Sequence, residues 1–119
     1  MASVLIVDDA VFMRMTIKRI LEGKGHTVVS EAATGVEAIE KFAETRPDVV
    51  IMDITMPEMD GIDALKRIKI LNPEAKIIIC SAIGQQEKVA EAIRCGAQQF
   101  IVKPFEPEVL VRAMERVLA

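Results

Sequence analysis

The chain has no tryptophan, no tyrosine, a single histidine and only two cysteines among its 119 residues. One histidine (His26) and two isolated cysteines cannot assemble a structural zinc site or a disulfide framework, so Cys80 and Cys95 are expected as reduced, mostly buried thiols. With four phenylalanines as its only aromatics, the core must be aliphatic and filled in by methionine. No apolar run approaches the length of a membrane span, and the N-terminus leads straight into a strand-like run, so a cytoplasmic location is expected. Net charge is −3 with both signs dispersed, which leaves no basic footprint for nucleic acid or an anionic membrane. Apolar residues make up 51% of the chain and there is no Ser/Gly/Pro tract, which excludes a disordered chain. A chain this long buries roughly two-thirds of its unfolded surface, and residues 1–119 read as one domain.

What is present is a rhythm. Five short β-branched runs, each followed by a stretch with helical spacing, begin at Val4, Thr27, Val49, Ile77 and Phe100. The helical stretches place Met13, Ile17, Ile20 and Leu21, then Val36, Ile39 and Ala43, then Ile62, Leu65, Ile68 and Leu71 on inward faces. A weaker, alanine-rich helix covers about residues 85–95, and the last buries Leu110, Ala113, Met114 and Val117 behind Pro107. Thr34 with Glu37 has capping-box spacing. Strands alternating with helices predict an α/β fold, a parallel sheet covered on both faces by right-handed crossovers.

All strand C-termini of a parallel sheet lie along one rim, where α/β proteins place their sites. Four of the five runs end there in polar residues: Asp8-Asp9, Asp53, Ser81 and Lys103. Adjacent strands lie about 4.8 Å apart, so these groups can share one crevice. Clustered carboxylates repel unless a cation sits among them, and hard oxygen ligands suit Mg2+. A carboxylate, a divalent metal, a lysine and a hydroxyl form a set suited to phosphoryl transfer onto the carboxylate itself.

Those same residues carry a resemblance. Asp8-Asp9, Asp53 followed by Met56-Pro57 and Asp60-Gly61, Ser81-Ala82, and Lys103-Pro104-Phe105 resemble the receiver domains of two-component response regulators, in order and along essentially the whole chain. The local motifs are most similar to the single-domain chemotaxis regulators of Gram-positive and deep-branching motile bacteria. The resemblance implies a flavodoxin-like (βα)5 three-layer sandwich with parallel strand order 2-1-3-4-5, an order that periodicity does not supply.

It further implies that Asp53 accepts a phosphoryl group from a chemotaxis-type histidine kinase. Asp9, Asp53 and the Thr55 carbonyl would hold Mg2+ directly, with Asp8 acting mainly through a coordinated water. Ser81 and Lys103 would bind the phosphoryl group, and Lys103-Pro104 would be a cis peptide. Phe100 would be the switch aromatic that swings inward as Ser81 moves, although the commoner residue there is tyrosine. Thr55 and Ile83 occupy the positions that tune self-hydrolysis, and an apolar Ile83 implies slow dephosphorylation. A flagellar motor switch protein and a phosphatase are the further partners implied, for a monomer that is a phosphoacceptor and not a turnover enzyme.

Three other functions use related parts. An aspartate-nucleophile phosphatase would carry its acid on the first strand with a second Asp two residues on; Thr55 stands there. A flavodoxin-type FMN carrier needs a phosphate cradle after strand one, where Asp8-Asp9 would repel the ligand. A receiver cut from a larger DNA-binding regulator would share every motif; the narrower chemotaxis-like matches and an ending near a complete fifth helix lead us to expect a stand-alone protein instead.

Overall fold

The five β-branched runs form strands β1 (Ser3–Val7), β2 (Thr27–Ala32), β3 (Val49–Asp53), β4 (Lys76–Ala82) and β5 (Gln99–Lys103). Between and after them run helices α1 (Val11–Gly23), α2 (Gly35–Thr45), α3 (Gly61–Leu71), α4 (Gln86–Arg94) and α5 (Pro107–Leu118) in a computed structural model describing residues 1–119. All pairings are parallel and the order is β2-β1-β3-β4-β5, the flavodoxin-like arrangement that the resemblance implied.

Because side chains alternate across a strand, each central strand feeds two cores. Val4, Ile6, Val49, Ile51, Ile78 and Ile101 pack with Ile17 and Leu21 of α1 and Leu110, Ala113, Met114 and Val117 of α5. Leu5, Val7, Val50, Met52, Ile77 and Ile79 pack on the other face against α2, α3 and α4. That is the three-layer sandwich. No helix is long and apolar enough to cross a membrane. Both cysteines are free thiols, Cys80 buried and Cys95 half-buried.

Local chemistry sets the helix starts. Thr34 Oγ1 accepts from the Glu37 N–H at 3.1 Å, while the Glu37 carboxylate accepts from Ala33 N–H, one residue earlier than in the usual reciprocal box. Asp60 caps α3 by accepting from Asp63 N–H at 3.0 Å, and Pro107 opens α5 in its first turn.

Two helical faces differ from those the spacing predicts. In α2 the buried residues are Gly35, Ala38 and Phe42; Ile39 packs partly, while Val36 and Ala43 are exposed. The cause is a close approach only glycine permits, since a Cβ on Gly35 would lie 2.3 Å from the Met59 carbonyl oxygen. That contact turns the 35–38–42 stripe inward. In α3, Leu71 is exposed. Three steps of three residues from Ile62 amount to about half a turn of accumulated drift, so Leu71 points opposite to Ile62. His26 is half-buried, and its Nδ1 accepts from Ala2 N–H at 3.1 Å.

Candidate phosphoacceptor site

Ile6, Ile51 and Ile101 face the core under α1 and α5. Two residues further along their strands come Asp8, Asp53 and Lys103, so period two brings all three up on that same side at the C-terminal rim. Asp8 is 1% exposed and Asp53 9%, while Asp9, the next residue, is exposed. One carboxylate oxygen from each of Asp8, Asp9 and Asp53 lies within 4.8 Å of the others. Lys103 reaches across from β5 to donate to Asp8 Oδ2 at 2.7 Å, and its Nζ is 3.4 Å from Asp53 Oδ1. Asp8 Oδ1 also accepts from Ala10 N–H at 2.9 Å. The Lys103–Pro104 peptide is cis.

Burial pushes the Asp53 carboxyl above its ordinary range; Lys103 opposes that shift, and the charges of Asp8 and Asp9 add to it. Lys103 responds the other way. Burial alone would lower it, yet the hydrogen bond to Asp8 and the charges of Asp53 and Asp8 hold the ammonium above the usual lysine range. Beneath them, burial raises the Cys80 thiol to about 12, which keeps it neutral and out of the chemistry.

One lysine cannot neutralise three carboxylates. The donor set left over is hard oxygen, partly exposed through Asp9, and fits a small divalent cation such as Mg2+ that keeps some of its waters.

The other residues singled out from the sequence occupy the flank towards β4 and β5. Ser81, two residues after Ile79, starts from the opposite side of the sheet to Asp53 and is buried. Thr55 is exposed in the β3–α3 loop. Ile83 is 79% exposed and Phe100 49% exposed, and both line an apolar groove of about 570 Å3 between β5 and α4 with Val89, Ile93 and Val102. Phe100 is therefore turned outward, with space between it and the helix. Met56 is buried packing, Met59 partly so. Glu58 is a solvated loop residue in a left-handed conformation (φ 69°).

Two contributors escaped sequence reasoning. Arg14 of α1 donates from Nη1 to the Asp8 carbonyl at 2.6 Å and from Nε to Glu31 on β2 at 3.1 Å, bracing the acid pair from behind. Gln85, just before α4, links the end of β4 to the β3–α3 loop: its Oε1 accepts from Ala82 N–H at 2.7 Å and its Nε2 donates to Thr55 Oγ1 at 2.9 Å. The Arg14–Glu31 pair carries a faint sequence signal, opposite charges on the first helix and the second strand. Gln85 carries none.

A family model described as the response regulator receiver domain matches residues 4–115. The chain belongs to that family. As a receiver it is 59% identical to the chemotaxis protein CheY of Thermotoga maritima over 114 residues, covering 96% of this chain and 95% of that protein. It is 56% identical to CheY of Bacillus subtilis, covering 97% of this chain and 96% of the relative. Among solved structures, the CheX–CheY–BeF3–Mg complex of Borrelia burgdorferi contains a chain that superposes with a TM-score of 0.94 at 36% identity, covering 98% of this receiver and 89% of that chain. The receiver is thus CheY-like, and its acidic rim is compatible with magnesium.

Proposed function

We propose that this CheY-like receiver is a Mg2+-dependent switch of a chemotaxis two-component system, with Asp53 as the residue phosphorylated by a histidine kinase. The observation that carries the reading is one buried carboxylate at the rim, 3.4 Å from an ammonium and clustered with two further acids. An oxygen of Asp53 forms the new O–P bond as the donor's P–N bond breaks, and the departing imidazole takes up a proton. Little covalent machinery is needed, because phosphoryl transfer is driven by positioning and charge neutralisation.

Asp8, Asp9, Asp53 and the Thr55 carbonyl would hold the metal, which supplies positive charge to the transferring group when bound. Lys103 then pairs with a phosphoryl oxygen, and the Ser81 hydroxyl donates to another. As Ser81 turns to the phosphoryl group, Phe100 follows into the groove beside α4, and the altered β5–α4 face meets a flagellar motor switch protein. The protein is a phosphoacceptor that resets by slow hydrolysis or with a phosphatase, not a turnover enzyme. Exposed, apolar Ile83 and a threonine at position 55 leave an attacking water without a charged group to align it; Ile83→Glu should shorten the acyl-phosphate lifetime, and an unchanged or longer one contradicts this.

Incubation with acetyl phosphate and Mg2+ tests the whole reading. An adduct of about 80 Da, lost with a chelator, is the expected result. Turnover of simple phosphate esters would point to the phosphatase alternative instead.

A further inference from the structure

Gln85 occupies a position that its own helix does not explain. It stands at the N-cap of α4, yet its side chain caps no N–H of that helix. It turns back three residues to accept from Ala82 N–H, and its other end donates to Thr55. Where that N–H points follows from the ladder. The Cys80 carbonyl accepts from Ile54 N–H at 3.1 Å, so the main-chain groups of Cys80 face β3. Two residues on, those of Ala82 face the same way. Asp53, in register with Cys80, is the last residue of β3. The Ala82 N–H therefore opens on the rim just past the end of β3, on the flank of Asp53, with no strand partner left to take it. A main-chain donor there, beside the Ser81 hydroxyl and opposite Lys103, is suited to an oxygen of a phosphoryl group on Asp53.

We propose that Gln85 is a placeholder: in the unphosphorylated protein its amide oxygen takes the Ala82 N–H that a phosphoryl oxygen would otherwise engage, and phosphorylation must displace it. This rests on Asp53 being the phosphoacceptor. The same side chain holds the Thr55 hydroxyl, so its displacement frees the β3–α3 loop and the start of α4 together. Gln85 is thus a positioning residue that sets how readily the site fills and couples filling to release of the flank that carries Ile83.

Beryllofluoride with Mg2+, an acyl-phosphate mimic, tests the idea by calorimetric titration of the full chain. Gln85→Ala removes the competitor and should bind beryllofluoride about three- to tenfold tighter, the worth of one net hydrogen bond. Gln85→Glu offers a charged acceptor for Ala82 N–H and adds negative charge, so it should bind several-fold weaker than wild type. The Ala82 amide should also exchange its hydrogen faster in unliganded Gln85→Ala than in unliganded wild type, a change that a generally loosened helix would not confine to one amide. Unchanged or weaker binding by Gln85→Ala, binding by Gln85→Glu as tight as wild type, or an Ala82 amide indifferent to the substitution would each overturn the inference while leaving Asp53 phosphorylation standing. A wild type that neither binds beryllofluoride nor takes phosphoryl on Asp53 would remove the acceptor reading itself.

Discussion

Replacing Lys103 by methionine keeps the stem and removes the charge, and its consequence follows from the burial of its partners. Asp8 and Asp53 side chains are 2% and 12% exposed, and Lys103 is the one ammonium within 4 Å of either. Removing one member of a buried ion pair costs about 3 kcal/mol, because the charges left behind are neither solvated nor paired. For 119 residues, an unfolding entropy of about 2.1 cal/mol/K per residue turns that into a fall in Tm of roughly 12 °C in chelator. Mg2+ bound at the acidic rim would place positive charge among the same carboxylates, so in saturating Mg2+ the deficit should shrink to about 1 kcal/mol. By linkage, that 2 kcal/mol recovery equals about 30-fold tighter Mg2+ binding by the variant than by wild type. The pH dependence has a definite sign. Lys103 is held above its ordinary range, so its contribution is full at neutral pH, below its unfolded value, and is lost as the pH rises through its folded value. On the acid side the deficit also narrows as Asp53, raised by burial, takes up its proton. Urea titrations of both proteins in EDTA and in Mg2+ provide the assay. No loss of stability in EDTA, or the same loss with and without Mg2+, would refute the reasoning.

Other perturbations probe separate parts of the molecule. Gly61 donates to the Ile54 carbonyl, and a Cβ there would lie 2.1 Å from the Asp53 carbonyl oxygen; Gly61→Ala should cost about 2 kcal/mol by chemical denaturation, and a neutral result would mean that the β3–α3 loop yields freely. Asp48 accepts from Ser3 N–H and Oγ, which lowers its carboxyl. Its stabilisation is present above the unfolded carboxyl value and lost as pH falls through the folded one, so Asp48→Ala should lose up to about 1 kcal/mol at pH 7 and progressively less as the pH falls through that folded value. A thiol reagent should modify native Cys95 well before Cys80, whose thiol is buried and raised to about 12; equal rates would contradict the packing of β4.

How much was legible depended on whether a residue acts through its type or through its neighbours. β-branched runs ending in Asp53, Ser81 and Lys103 marked both the strands and their common rim, because burial and charge are written in residue type. Strand order is not periodic information and came only through the family resemblance. The buried stripe of α2 escaped because Gly35 turns it, and a glycine adds nothing to a hydropathy pattern. Leu71 was misplaced by extending a three-residue spacing against a 3.6-residue turn. The roles of Arg14 and Gln85 at the site were missed for another reason: both act on main-chain atoms, Arg14 on the Asp8 carbonyl and Gln85 on the Ala82 amide, and such contacts have no required spacing.

The central claim is that Asp53 carries the phosphoryl group. Its most direct test is site-resolved mass analysis of the protein after incubation with acetyl phosphate and Mg2+. The expected result is one phosphoryl group, on the peptide containing Asp53, absent from Asp53→Asn and from samples with chelator. A phosphoryl group on any other residue, or an undiminished adduct in Asp53→Asn, would contradict it.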